Sequence, residues 1–312
     1  MENRHEKYHR LIEHCRTLAP MPTAVAHPCD RSSLEGALEA ARKGLIEPIL
    51  VGPRARIEAT AAECGLSISD HEIVEAPYSE ASAASAVRLV RDGRASALMK
   101  GSLHTDELMA EVVRHDAGLR TGRRISHCFV MDVPAHADPL IVTDAAINIA
   151  PTLEEKVDIL QNAIDLAHAL EFPQVRVAIL SAMETVNPKV PSTLEAAALC
   201  KMVDRRQITG AFVDGPLALD NAIDPEAARI KQIDSPVAGH ANVLMVPDLE
   251  AGNMLAKSLS FLAGADAAGI VLGARVPIIL TSRADSLITR LASCAVAMLV
   301  ANVQREAARR AG

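Results

Sequence analysis

The chain has 312 residues, 49% of them hydrophobic, and a net charge of −7. That is enough apolar material for one large domain or two medium ones. The acidic balance excludes a general nucleic-acid binder, whose affinity rests on a basic face, and 2% aromatics with no Trp leave no stacking platform for bases.

The opening segment, MENRHEKYHRLIEHCR, is charged throughout and lacks the apolar core of a signal peptide. It reads as an exposed N-terminal helix bearing His9 and His14. From Pro22 onward, short apolar runs alternate with helix-period stretches. Strands are expected at Thr23–Ala26, Pro48–Val51, Glu72–Glu75, Ala97–Met99, Cys128–Asp132, Leu140–Thr143, Val175–Leu180, Gly210–Val213, Val243–Val246 and Val276–Leu280. Helices are expected between most of them, at 32–43, 54–64, 80–92, 105–115, 153–170, 192–204, 223–231, 251–263 and 286–310. Such alternation implies βα units and a largely parallel sheet, and continuous apolar strands imply that both sheet faces are covered. Ser33 marks one helix start, and Thr152 followed by Glu155 is a capping-box pattern. A composition break at Val133–Pro139 suggests a domain crossing.

The six cysteines, at 15, 29, 64, 128, 200 and 294, form no CxxC pair and read as reduced thiols of a cytoplasmic protein. No run reaches the roughly 18 uninterrupted apolar residues of a membrane span. No His pair stands at metal-ligand spacing, so no metal is expected. No GxSxG elbow is present.

Five stretches can carry chemistry. In the first, a strand runs into Lys100-Gly101-Ser102 and a helix starts near Thr105. Lys100 can meet a phosphate as a point charge, Gly101 admits close backbone approach, and Ser102, His104 and Thr105 supply polar groups. The bland reading is a strand–helix turn capped by Thr105. The second holds three Arg in five residues, Arg120, Arg123 and Arg124, suited to forked phosphate contacts or else a solvated loop. The third is Asp214-Gly215-Pro216, where Asp214 could bind a ligand or merely cap a turn. The fourth carries Asp248 and Glu250, more simply read as helix caps. The last is Thr281-Ser282-Arg283-Ala284-Asp285-Ser286, where a hydroxyl and a fixed cation end an apolar run beside a helix N-terminus. Ligands of open α/β sheets sit at that edge, and helix N-termini attract anions. Asp285 is there the natural helix cap.

Together these segments resemble the phosphate acetyl/butyryl transferases over nearly the whole chain from Pro22. The strings that carry the resemblance are Met99-Lys100-Gly101, GLRTGR (118–123), VTDAAIN (142–148), NPKVPST (187–193), VDGPLALD (213–220), SPVAGHAN (235–242), PDLEAGN (247–253) and TSRADS (281–286). The resemblance implies two α/β domains with largely parallel sheets flanked by helices, in the manner of isocitrate and isopropylmalate dehydrogenases, with a cleft between them. The first would hold 1–138 plus 284–312 and the second 139–283. It implies a homodimer that moves a short acyl group between coenzyme A and inorganic phosphate, with coenzyme A as substrate and no metal or bound cofactor. It assigns catalysis to Ser282 and Arg283. Substrate binding falls to Lys100, Gly101, Ser102, His104, Thr105, Arg120, Asp214 and Gly215.

The chain also departs from the acetyl-specific members. Met109 stands near the place of their Arg, and Thr289 stands where they carry a carboxylate base, one helical turn beyond Asp285. Asp285 is therefore expected to act as base, and the departures lean toward the butyryl branch. Two other readings compete: a non-catalytic module that binds acyl-CoA, and a dehydrogenase of the related fold, which would need a metal-binding cluster.

Overall fold

The computed structural model describes residues 5–282 and 285–311. The chain divides into two compact units, one of His5–Arg123 with the chain from Ala268 onward, the other of Arg124–Ala267. The first unit opens with α1 (Glu6–Cys15), β1 (Met21–Ala26), α2 (Arg31–Arg42), β2 (Ile46–Gly52), α3 (Arg54–Cys64), β3 (Ile73–Glu75), α4 (Ser79–Arg91), β4 (Ala97–Lys100) and α5 (Thr105–Val112). The second unit holds β5 (Ser126–Asp132), β6 (Leu140–Thr143), α6 (Leu153–Ala169), β7 (Arg176–Leu180), α7 (Pro191–Asp204), β8 (Phe212–Leu217), α8 (Leu219–Ile223), α9 (Pro225–Ile230), β9 (Val243–Met245) and α10 (Leu249–Leu262). The chain then returns to the first unit with β10 (Asp266–Leu272), β11 (Ile278–Ile279) and α11 (Leu287–Ala311).

In the first unit the strands stand in the order β3-β2-β1-β4-β11-β10. All pair in parallel except β10 with β11. The carboxyl ends of β1, β4 and β11 therefore share one edge, where βα turns gather functional groups. β4 is buried at every residue, as a strand covered on both faces must be. α11 passes the length and hydropathy of a membrane span over Leu287–Arg310, but 72% of its apolar window is buried inside the protein. It packs against α1 and α2. α1 exposes His9 and His14, as expected, but its other face is buried. Tyr8, Ile12 and Cys15 form a buried stripe, and the Tyr8 hydroxyl accepts a hydrogen bond from the Ala268 N–H at 2.7 Å.

In the second unit the order is β5-β6-β9-β7-β8, parallel except for β5 with β6. α8, α9 and α10 close one apolar layer over Leu140, Val142, Leu244 and Leu180. The capping box at the start of α6 is formed: Thr152 Oγ1 accepts from Glu155 N–H and Glu155 accepts from Thr152 N–H at 2.9 Å.

The expected boundaries at 138/139 and 283/284 fall instead at 123/124 and 267/268. Antiparallel pairing of β5 with β6 binds 126–132 to the second unit, and pairing of β11 with both β10 and β4 binds 278–279 to the first. β10 itself was not anticipated, because Asp266-Ala-Ala-Gly269 carries little β-propensity. The helix expected at 223–231 is α9, capped by the Asp224 side chain, and the short α8 before it was not anticipated. α2 starts at Asp30 rather than Ser33: Asp30 Oδ1 accepts from the Ser33 N–H at 2.8 Å.

Candidate active site

The edge of the first-unit sheet assembles seven of the expected residues: Lys100, Gly101, Ser102, His104, Thr105, Ser282 and Asp285. Gly101 lies so close to β1 that a Cβ there would meet Ala26 O at 2.3 Å and His27 O at 2.5 Å. Only glycine leaves that space. Its N–H donates to Ala26 O at 2.8 Å, and Ser102 donates to His27 O through both N–H (2.9 Å) and Oγ (2.8 Å). The Ser102 hydroxyl thus ties the ends of β1 and β4 together. Lys100 is buried, with Nζ 3.3 Å from Gly101 O. His104, not Thr105, is the N-cap of α5, and its N–H donates to Glu107 Oε2 at 2.7 Å. Thr105 is the first helical residue.

Ser282 follows β11 and is exposed, while Asp285 is partly buried. The Ser282 N–H donates to Asp285 Oδ2 at 2.6 Å, so the carboxylate closes the turn rather than capping the helix. The cap of α11 is Ser286, whose Oγ accepts from the Thr289 N–H at 3.2 Å. Burial pushes the Asp285 carboxyl above its ordinary range, against the Ser282 N–H, Arg290 and Lys100, which favour the charged form. Arg283 lies outside the described residues.

The turn rests on Arg290, which the sequence reading missed. Its guanidinium is buried, donating to Thr281 Oγ1 at 3.0 Å and Ser282 O at 2.6 Å. Gly36 of α2 leaves room for it, since a Cβ there would sit 2.8 Å from Arg290 Cδ. One signal was legible: Arg290 interrupts the otherwise apolar run of α11.

His27 was missed as well. It ends β1 with φ 56°, a left-handed conformation uncommon outside glycine and asparagine, and is buried. Burial, then Arg56, lowers its pKa, partly offset by Glu107, Glu80 and Asp30.

Arg120 and Arg124 lie in different units. Arg120 is exposed at a backbone bridge to Ala274 in the first unit. Arg124 belongs to the second, where it donates to Asn148 Oδ1 and pairs with Glu155, both at 2.8 Å. Asp214 and Gly215 also lie in the second unit, on β8. Asp214 Oδ1 accepts from the Gly215 N–H at 2.8 Å within the strand. Asp248 caps α10, accepting from Ala251 N–H at 2.8 Å. Burial raises the thiols of Cys15, Cys128, Cys200 and Cys294 to about 12 and that of Cys29 to about 11, so none of these is poised as a nucleophile.

A hydroxyl, a raised carboxyl and a buried lysine gather at the carboxyl edge of the parallel sheet, groups suited to group transfer. The comparisons name the group. Residues 78–298 match the family model "Phosphate acetyl/butaryl transferase", and the chain belongs to that family. It is 67% identical over 96% of its length to a phosphate acetyltransferase from Rhizobium meliloti, covering 95% of that protein. It is 40% identical over 95% of its length to a phosphate butyryltransferase from Clostridium acetobutylicum, covering 98% of it. A branched-chain phosphotransacylase structure from Enterococcus faecalis V583 superposes with a TM-score of 0.79 at 30% identity, over 90% of this chain and 99% of that one. The chain is a phosphate acyltransferase with coenzyme A and acyl phosphate as substrates, and a purely regulatory module is not favoured. The expected lean toward the butyryl branch gains no support from these identities.

Proposed function

We propose that the chain transfers an acetyl group between coenzyme A and inorganic phosphate by direct attack, with Ser282 and Asp285 in the reacting roles. The coenzyme A thiolate attacks the carbonyl carbon of the acyl phosphate. A C–S bond forms, the C–O bond to phosphate breaks, and phosphate leaves with the bonding pair. A thiol of pKa about 8.5 must first lose its proton. Asp285 is the acceptor: its raised pKa makes it a stronger base, and Oδ1 remains apart from the Oδ2 that holds the Ser282 N–H. The Ser282 hydroxyl donates to the oxygen that gains charge in the transition state. Lys100 and Arg283 supply positive charge for phosphate, and Ser102, His104, Thr105 and Arg120 line its approach. Asp214 and Gly215 of the second unit are read as binding groups for the carrier. The reading calls for no metal or bound cofactor.

The observation that carries it is the Ser282–Asp285 turn, held from beneath by Arg290 and set beside Lys100. Identity to an acetyltransferase at 67% supports acetyl over butyryl. One methylene is worth only about 1–3 kcal/mol in such a pocket. A cytoplasmic homodimer completes the reading, and the exposed Met254, Phe261 and Leu262 of α10 suit a face between copies. Initial rates with acetyl phosphate and butyryl phosphate at fixed coenzyme A test the acyl preference. A higher kcat/KM for acetyl phosphate is expected, and a higher value for butyryl phosphate would reverse the assignment.

A further inference from the structure

The carbonyl carbon of an acyl phosphate is an electrophile, open to any uncharged nucleophile held against it. The thiolate of coenzyme A is one. The turn itself offers a second, the amine of Lys100. β4 pairs in parallel with β11, Leu98 with Ile278 and Met99 with Ile279. One residue further, that register sets Lys100 opposite Leu280, one strand spacing of about 4.8 Å away, and Ser282 follows two residues on. Side chains alternate along a strand, so Leu98 and Lys100 share a face with Ile278 and Leu280, and a four-carbon stem carries the amine along that face toward Ser282. The charge of Lys100 favours the ionised form of Asp285, so amine and carboxylate lie within electrostatic reach of each other. Lys100 is also buried, at 7% exposure.

Arg290 is buried under the same turn, but a guanidinium keeps its proton and is no nucleophile. Lysine is the cation that can shed its proton when buried, and lysine amines attack carbonyl substrates in other enzymes. In an acyl phosphate, one bridging oxygen separates the phosphorus from the carbonyl carbon. An acyl phosphate whose phosphate meets Lys100 therefore brings its carbonyl carbon beside the same nitrogen. Well-aligned neighbours of this kind react as if at about 10⁵–10⁸ M. The exposed Lys43, Lys189 and Lys257 have no such advantage.

We propose that Lys100 is a site of self-acylation: when coenzyme A is absent, its amine takes the acyl group from bound acyl phosphate, and the enzyme loses activity. The Lys100 ammonium gives one proton to Asp285, which passes it to solvent. The neutral amine attacks the carbonyl carbon and a C–N bond forms. The C–O bond to phosphate breaks, and phosphate leaves with the bonding pair and takes up the second proton of the nitrogen. The product is an amide, so the positive charge that met the phosphate is gone. Acyl phosphate left unconsumed thus shuts off the site that makes or uses it. The inference rests on the reading of this turn as the acyl-transfer site.

The test incubates wild type with acetyl phosphate alone, with added inorganic phosphate, and with added coenzyme A. It follows residual thiol release from acetyl-CoA together with peptide mass spectra. Activity should decay in step with the gain of one acetyl group at Lys100. The rate should saturate with acetyl phosphate and exceed labelling of Lys189 and Lys257 by about tenfold or more. Inorganic phosphate, by competing for the site, and coenzyme A, by consuming acetyl phosphate, should slow both. Lys100→Arg keeps the charge without an acylatable amine, so whatever activity it starts with should persist through the incubation. Decay of that variant at the wild-type rate overturns the proposal, as does label at Lys100 with undiminished wild-type activity. Normal thiol release before incubation, with label on the exposed lysines and none on Lys100, overturns it and leaves the acyl-transfer reading intact. If wild type releases no thiol before incubation, that reading fails by itself, and the peptide map still decides whether Lys100 meets the acyl phosphate.

Discussion

Asp285 closes the Ser282 turn with a carboxyl that burial disfavours in its charged form. Its folded pKa lies above the unfolded value. Its contribution to stability is therefore full below the unfolded pKa and is lost as pH rises through the folded one. In its ionised form, the form required of a base, it opposes folding. Asp285→Asn should consequently keep or raise the thermal midpoint at pH 7 while cutting kcat and flattening the acidic limb of the pH–rate profile. A lowered midpoint with an unchanged profile would place the base elsewhere. Ser282→Ala should fold normally and lose about 10²–10³ in kcat, the usual cost of one transition-state donor. At this scale the sequence marked the places where polar residues end apolar runs: Lys100 closes one strand, and Ser282 and Asp285 follow another. His27 was not readable, because its backbone conformation and its burial show only in the folded chain.

At the scale of elements, the site depends on how β1, β4 and α11 are pinned. Gly101→Ala would drive a methyl into the carbonyls of Ala26 and His27, and the backbone has nowhere to yield. A loss of about 1–3 kcal/mol in urea unfolding is expected, together with reduced turnover as the Lys100–Ser102 turn shifts; unaltered stability would contradict the close approach. Arg290→Met would strip Thr281 Oγ1 and Ser282 O of a buried charged donor. Hydrogen bonds to charged groups are worth about 1.5–3 kcal/mol. Because Arg290 acts through Ser282, kcat should fall more than KM rises, with R290K restoring part of it. Equal kcat with a lowered midpoint would reduce Arg290 to a purely structural role. Element types were legible because apolar runs and helical stripes have distinct periods. Caps were less so: Thr152 and Asp248 act as expected, whereas Asp30, His104 and Ser286 take the caps read at Ser33, Thr105 and Asp285. Neighbouring Ser, Thr and Asp offer the same oxygen, and only local geometry chooses among them.

For the whole molecule, the fold class followed from βα alternation, and the unit boundaries did not. They turn on the antiparallel pairs β5–β6 and β10–β11, which are long-range contacts invisible to periodicity. A buried histidine gives the molecule an acid limit. His127 is buried on β5, its Nδ1 has no partner among the described residues, and burial pushes its pKa down to about 4. Its folded pKa lies below the unfolded value of about 6.5. It therefore contributes stability above pH 6.5 that is lost as pH falls toward 4. His127→Leu should flatten the decline of the urea midpoint across that window; an identical decline would assign acid sensitivity to other groups.

The account stands on acyl transfer at the Ser282–Asp285 turn. The most direct measurement is release of free thiol from acetyl-CoA as a function of phosphate, for wild type and Ser282→Ala. The account predicts saturable release that requires phosphate or arsenate and falls about 10²–10³-fold in the variant. Phosphate-independent release, or wild-type rates in Ser282→Ala, would contradict it.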